Sequence, residues 1–561
     1  MSWISKLLGR LALSVALAAV VGWPALATVI EATKSLTHPE KALGASGSSL
    51  DPAGSAELMR ESGGLARPVR LAKNTIGLVL ATEAIALPLG ILLALLLFRT
   101  DVVGRRILLA VLALAAFIPL PLHATAWLGA FGNTGRAQAF GVRPFLVGLP
   151  GAAVVHALAA LPWVILIVGV GLSAVEPELE ESALLDYGPG RVLIRITLRR
   201  ALGAIAASAL AVAVLISGDM TVTDLLQIRT FAEEAYNQYQ LGRGPGEAAI
   251  VALPPIVVLG TLILIVGLAL GRFDPARLVS SFARARRWPM GRWRIAGGLL
   301  LVVLIGNAMA LPLYSLLWRA GRVGGRATLG QPPTWSLAGL IGTLRYASAE
   351  IWEPLKASVL WTAVAATVAA ALACALAWAA RRSIVWRLIA LATLALTLAT
   401  PGPVAGMALK LAYLAIPAIY DSPAMIVMAE TLRSLPYSLL LLWPFLRAFP
   451  QDYLDTAALE GHGPWGLMVH VVFPLSRRPL LAAWAIAFAI GLGELPATNL
   501  AAPPGTEPMS VLIWGLLHTG VESHLSGVAL IMLLAVAAAG LLATLAVRSL
   551  RTLERREPAG A

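Results

Sequence analysis

Long apolar runs, broken by little more than Gly, Pro or a lone ionisable residue, recur along almost the whole of this chain. Compared with the roughly 18 apolar residues needed to cross about 30 Å of hydrocarbon, they predict about twelve membrane helices. The spans lie at 7–29, 71–98, 107–131, 145–174, 201–227 and 247–270, then at 295–318, 355–380, 388–410, 423–447, 479–499 and 527–547. Two polar connections, 176–200 and 450–478, carry helix-forming sequence of their own. The pattern predicts an all-α polytopic protein whose surroundings are the lipid bilayer.

The two sets of six spans are copies. Arg99 and Arg381, Arg105 and Arg387, Pro119 and Pro401, and Pro121 and Pro403 share one offset of 282 positions. Gly188 with Gly463, Pro189 with Pro464, Gly218 with Gly493 and Asp219 with Glu494 share another, of 275. The change falls at an extra loop around Gly132 to Pro144, where insertions are tolerated. An even number of spans per copy gives both the same orientation, a parallel repeat about an axis along the membrane normal. The expected organisation is a first repeat at 1–270, a basic linker at 271–294 and a second repeat at 295–561.

Composition supports the membrane reading. Of 561 residues, 58% are hydrophobic and 13% charged, where soluble domains run near 25% charged. The net charge of +13 does not imply nucleic acid, because Lys and Arg gather in short connections at span ends. Those basic connections should face the cytoplasm, and with them both termini; the connection at 500–526 has no Lys or Arg and should face outward. Arg319, Arg322, Arg326 and Arg345 depart from this rule. The first apolar run, after Lys6 and Arg10 and ending near Ala25-Leu26-Ala27, has the outline of a signal peptide. Pro24 has a counterpart in Pro312, so a retained first span is expected. Residues 30–70 read as an outer loop, and Cys374 as a small buried hydrophobe.

Asp455-Thr456-Ala457, then Gly461, then Val471-Val472-Phe473-Pro474, is the most informative polar stretch. Small residues let another surface approach a helix closely, Gly461 suits a left-handed helix end, and Pro474 should stop the preceding helix. Glu181-Ser182-Ala183 repeats the start in the first half, but Tyr187 holds the Gly position, Gly188 comes one residue late, and Arg199 stands near the expected Pro. This spacing resembles the coupling loop of ATP-binding-cassette importer permeases. Glu494-Leu495-Pro496-Ala497-Thr498 resembles a motif of the fused iron(III) permeases in that family. The resemblance implies a type I importer fold in the cell inner membrane. It also implies a pair of cytoplasmic ATPase subunits on the two loops and an extracytoplasmic solute-binding protein. Iron(III) is the first cargo it suggests, with thiamine or another small solute as the alternative.

Ionisable groups inside spans are costly and usually face a cavity or a partner. Asp219 and Glu494, paired by the repeat, could line the path with Pro496 nearby, or could cap broken helices. Glu430 with Arg433, one turn apart, read as intramembrane hydrogen-bond or ion-pair elements, and His156 stands where Glu430 stands in the other copy. His123 and His156 lack the tight spacing of metal ligands. The chain contains no Gly-x4-Gly-Lys-Ser/Thr phosphate loop and no Ser/His/Asp, Cys-x2-Cys or His-Glu-x2-His constellation, so no catalytic residue, metal or cofactor is predicted. An ion-coupled secondary transporter is the rival class. It would need no polar docking loops.

Overall fold

The computed structural model of the protein describes residues 3–37, 66–133, 136–137, 141–241, 245–270, 287–323, 334–519 and 522–556. Most of the expected linker and of the outer loop at 30–70 lies outside the described residues. The first half opens with α1 (Trp3–Leu17) and α2 (Trp23–Thr37), joined by a π-helical turn at Ala18–Gly22. It continues with α3 (Ala66–Arg99), α4 (Arg105–Ala115), α5 (Leu120–Phe131), α6 (Gly148–Ser173) and the polar helix α7 (Pro177–Asp186). After α8 (Pro189–Val192) and a π-helical stretch, Leu193–Leu198, come α9 (Leu202–Ser217), α10 (Thr221–Leu225), α11 (Phe231–Gln240) and α12 (Pro245–Leu270).

The second half follows the same course. α13 (Trp293–Ala320) leads through a two-residue strand pair, Arg322–Val323 with Thr334–Trp335, to α14 (Leu337–Ala380). Then come α15 (Ile384–Ala399), α16 (Gly402–Tyr413), α17 (Pro417–Tyr420), α18 (Ala424–Arg447) and the second polar helix, α19 (Gln451–Leu459). α20 (Pro464–Leu467), a π-helical stretch at Met468–Val472, α21 (Phe473–Gly493), α22 (Pro496–Ala501), α23 (Met509–Thr519) and α24 (Glu522–Arg556) complete it. Among the described residues, 9 helices are long and apolar enough to cross a membrane, and three bent pairs raise the number to 12.

The bends are where the predicted spans needed correction. The span expected at 107–131 is α4 and α5, meeting at 106°, and the one at 388–410 is α15 and α16, meeting at 111°. Pro119 and Pro401 stand at the corners with ψ of 138° and 149°. A proline has no N–H to continue the ladder, and its ring disfavours helical geometry in the residue before it. The repeat therefore placed the corners, but run length alone hid them. The spans expected at 201–227 and 479–499 end early, at Ser217 and Gly493. α14 begins eighteen residues before its predicted start, at Leu337.

The halves interlock rather than sit side by side. α3 packs along α6, and its counterpart α14 packs along α18. α2 of the first half lies on α16 of the second, while α13 of the second lies on α5 of the first. The first exchange is fastened by Trp23 Nε1 donating to the Ala412 carbonyl at 2.7 Å and Tyr413 Oη donating to that of Ala19 at 2.8 Å. Close helix approach relies on small residues, as expected where lipid offers no hydrophobic drive. Ala366, Ala369, Ala373 and Ala377 of α14 are fully buried. At Gly90 of α3, a Cβ would come within 2.4 Å of Val164 Cγ1 on α6. Gly90→Val is expected to cost about 1–3 kcal/mol by forcing α3 off α6. Thermal unfolding of the solubilised protein checks this, with Gly306→Val, where nothing lies within 4 Å, as the silent control.

Candidate functional site

A cavity of about 520 Å³ lies between the halves. Its walls come from both copies: Phe117, Trp163 and Leu210 from the first, and Leu394, Tyr437 and Ile490 from the second. Trp163 and Tyr437 are repeat counterparts, and their rings meet with centroids 6.3 Å apart, while Phe117 sets its edge against Trp163 at 6.0 Å. The end of the cavity away from the polar helices is roofed by Pro119, Gly218, Asp219, Gly493, Glu494 and Pro496.

The roof is a reciprocal seam. A Cβ on Gly493 would stand 3.1 Å from Pro119 Cγ, and one on Gly218 would stand 3.8 Å from Pro401 Cα. Each half thus contributes the helix-ending glycine of its fifth span to the proline corner of the other. Within the second half, a Cβ on Gly402 would stand 2.9 Å from Pro496 Cβ.

Both carboxylates next to those glycines cap the short helices that follow them and border the cavity. Asp219 accepts from the backbone N–H groups of Thr221 at 3.0 Å and Val222 at 2.9 Å, satisfying the open start of α10. Its Oδ2 also lies 3.2 Å from His156 Nε2, and His156 Nδ1 donates to the Ala152 carbonyl at 2.9 Å. Nδ1 must carry a hydrogen to face a carbonyl, so one proton held between Nε2 and Oδ2 satisfies both side chains. Glu494 accepts from Ala497 N–H at 3.0 Å and from Arg433 Nε at 3.3 Å, and Arg433 Nη1 donates to the Thr400 carbonyl at 2.8 Å. The expected Glu430–Arg433 pair does not form. Arg433 turns to Glu494 instead, which lies across from it on the next span. Both carboxylates line the cavity with their charge already matched. Among the described residues no three His, Cys, Asp or Glu side chains cluster as metal ligands, His123 and His156 included.

The two polar helices share a burial pattern with an offset of 274. Glu180 and Leu454 are buried, Glu181 and Asp455 exposed, Ser182 and Thr456 exposed, and Ala183 and Ala457 turned toward the body. Leu185 and Leu459 occupy matching positions near the helix ends and are 87% and 90% exposed, more than any other large apolar side chain among the described residues. Sequence reading missed them, though a leucine at one offset in two polar helices was the available signal. Gly461 adopts φ +86°, the left-handed end its position suggested. The first loop leaves its helix differently, through Tyr187 at φ −129° and Gly188, which starts α8. Arg381 donates to the Phe449 carbonyl and Gln451, and Gln451 donates to Asp455 at 2.7 Å. Burial lowers the pKa of Arg381, Arg382 adds to this, and Asp455 opposes it.

Pro474 does not stop a helix. Residues Trp465–Gly493 form one continuous helical span, and the π-helical stretch at Met468–Val472 carries it past the missing N–H. The first half has its π-helical stretch at the corresponding place with Arg199 in place of proline, so proline does not create it.

Residues 86–279 and 328–556 each match the family described as the binding-protein-dependent transport system inner membrane component, one match per half and together well over half the chain. The chain belongs to this family. Similar proteins include a putative 2-aminoethylphosphonate transport system permease protein, PhnV, of Salmonella typhimurium, 33% identical over 69 residues. That stretch is 12% of this chain and 26% of the relative. A maltose/maltodextrin transport system permease protein, MalF, of Yersinia pestis is 28% identical over 88 residues, 15% of this chain and 17% of the relative. The chain spans about a quarter or less of the length of these curated relatives.

In this permease, Gly493→Val is expected to prop the roof open. A cysteine placed at Ala489 on the cavity wall should then react about tenfold faster with a membrane-impermeant thiol reagent added opposite the polar helices. Unchanged labelling would mean that the Gly–Pro seam does not close the cavity.

Proposed function

We propose that this permease is the solute-conducting subunit of an ATP-driven importer in the cell inner membrane, with α7 and α19 as its ATPase-coupling helices. The exposed leucine pair carries the reading. Two large apolar side chains held in water at matching places on two polar helices fit a pair of apolar pockets on two copies of one cytoplasmic partner. Glu181, Ser182, Ala183 and Gly188 frame the first contact, and Asp455, Thr456, Ala457, Gly461 and Pro474 the second. Both termini are on the ATPase side. A solute-binding protein delivers cargo to the opposite face, and differential binding of ATP to one state of the ATPase pair drives the exchange between conformations. Hydrolysis belongs to that separate subunit, since this chain has no phosphate loop.

Asp219, Glu494 and Pro496 line the path, and their matched charge suits passage rather than tight capture. Cargo choice then rests with the binding protein. Iron(III) is the first cargo by the resemblance of Glu494-Leu495-Pro496-Ala497-Thr498 to a motif of fused iron(III) permeases. Similarity to the 2-aminoethylphosphonate permease protein brings that solute forward as a second cargo. The rival ion-coupled transporter leaves the two polar helices without a purpose.

Leu459→Asp is expected to weaken ATPase association by about thirtyfold, as loss of a central apolar anchor does. Leu185→Asp should act in the same direction, and both variants should insert normally. Co-purification of the ATPase measures this, and retained association in both variants refutes the docking reading. Solute uptake by proteoliposomes holding the whole complex, offered iron(III), thiamine and 2-aminoethylphosphonate in turn, identifies the cargo. Uptake without an ATPase subunit would instead establish the secondary transporter.

A further inference from the structure

Glu180 lies inside α7, at 0% exposure, against Arg99 at 1%. Arg99 Nη2 donates to both Glu180 oxygens, Thr197 Oγ1 donates to Oε1, and Arg99 Nη1 donates to the Leu172 carbonyl at 3.2 Å. Four segments therefore converge on one buried charge: the end of α3, the last turn of α6, the polar helix α7, and the π-helical stretch that feeds α9.

The second half builds the same place from different chemistry. Leu454 stands where Glu180 stands, within an apolar core. Arg381, the counterpart of Arg99, reaches out to the start of α19 instead, at Phe449 and Gln451. No buried carboxylate joins α19 to the membrane spans at this position.

That difference has a mechanical consequence. Apolar contact is non-directional, so a leucine can slide against its neighbours over a short distance with little change in energy. A buried, doubly bonded ion pair is directional, and separating its partners strands a charge away from water. α7 therefore cannot shift against α3, α6 and the π-helical stretch unless all move together. We infer that Arg99, Glu180 and Thr197 form a rigid, fully buried ionic strut between the first coupling helix and three membrane spans, while α19 rests at the matching position on the apolar Leu454 and is tied to α14 at its start through the half-buried Arg381. The two ATPase contacts then transmit unequal strokes. Glu180 is a positioning residue, acting through the helix that carries Leu185.

The inference rests on α7 and α19 being ATPase contacts, and the experiment separates the two claims. The variant of choice is Arg99→Met with Glu180→Leu, since replacing both partners of a buried pair by apolar groups preserves folding better than breaking it. Complexes of the parent and the variant with ATPase and binding protein are reconstituted, and two quantities are measured: ATPase co-purification and solute moved per ATP hydrolysed. The strut predicts normal co-purification with transport per ATP reduced about fivefold or more. It also predicts partial recovery in Arg99→Lys paired with native Glu180, which keeps the charge beside Glu180 but loses the second nitrogen that donates to the Leu172 carbonyl. Unchanged transport per ATP in the double variant overturns the strut, and so does loss of co-purification, which would make the cluster part of the docking surface. Should the double variant fail to insert, Thr197→Val is measured in its place; it should lower transport per ATP in the same direction, and an unchanged ratio there is equally fatal. Failure of the docking reading itself shows separately, in the Leu185 and Leu459 variants.

Discussion

Inside hydrocarbon every backbone N–H and C=O needs a partner from the protein, and this permease interrupts its helices at four matched places where that demand is hardest to meet. Pro119 and Pro401 turn their helices by more than a right angle, and α9 and α21 stop at Gly218 and Gly493. The interruptions answer one another. Asp219 and Glu494 bond the exposed N–H groups of the short helices that follow, and Arg433 bonds the Thr400 carbonyl left at a corner. The prolines and glycines meet across the axis, one from each half. A roof built of helix ends can part without breaking a continuous ladder, which an unbroken span crossing the same place could not do.

The duplication gives the two halves one plan and leaves them free to differ in chemistry. The carboxylate in the roof is steadied by His156 in one half and by Arg433 in the other, from different positions on corresponding spans. Trp163 faces Tyr437 across the cavity. Both π-helical stretches occur at the same place, with and without proline. Position is kept between the copies at the bends, the caps and the exposed leucines. Residue type changes in the partners that hold those positions, and Glu180, bonded by Arg99 and Thr197, against Leu454 in an apolar core is the extreme case.

Much of this was legible in the sequence because membrane helices leave coarse signals. Run length found the crossings, and the repeat found which prolines, glycines and carboxylates belonged together. Direction was hidden. A run such as 107–131 is equally apolar whether its helix goes straight or turns at Pro119, and only the neighbouring half decides which carbonyls can be left open there. Arg433 was assigned to Glu430 because one turn of helix is a short distance in sequence, whereas Glu494 is near it only in space. Glu180 was passed over for the same reason: its neighbour Glu181 completes the motif, and burial against Arg99 depends on a span eighty residues earlier.

The connection between the two ends of the molecule follows from the continuity of single helices. From Trp465 the chain runs without a break to Gly493, 29 residues, or roughly 44 Å of helix. One end adjoins α19 and its exposed Leu459, and the other touches Pro119 in the roof. A helix of that kind transmits displacement along its axis with little loss, because shortening it would break backbone bonds that nothing in the bilayer replaces. The first half takes the same route through α9 but with a 60° bend just after its π-helical stretch. A bent lever would dissipate a push by flexing at the corner. The buried cluster at Arg99 sits on the near side of that corner and fixes α7 and the π-helical stretch to α3 and α6, so the half with the bent lever is also the half with the stiff mount. On the proposed docking at α7 and α19, a straight lever on a largely apolar seat and a bent lever on a buried ionic one are two ways of delivering motion to one Gly–Pro seam.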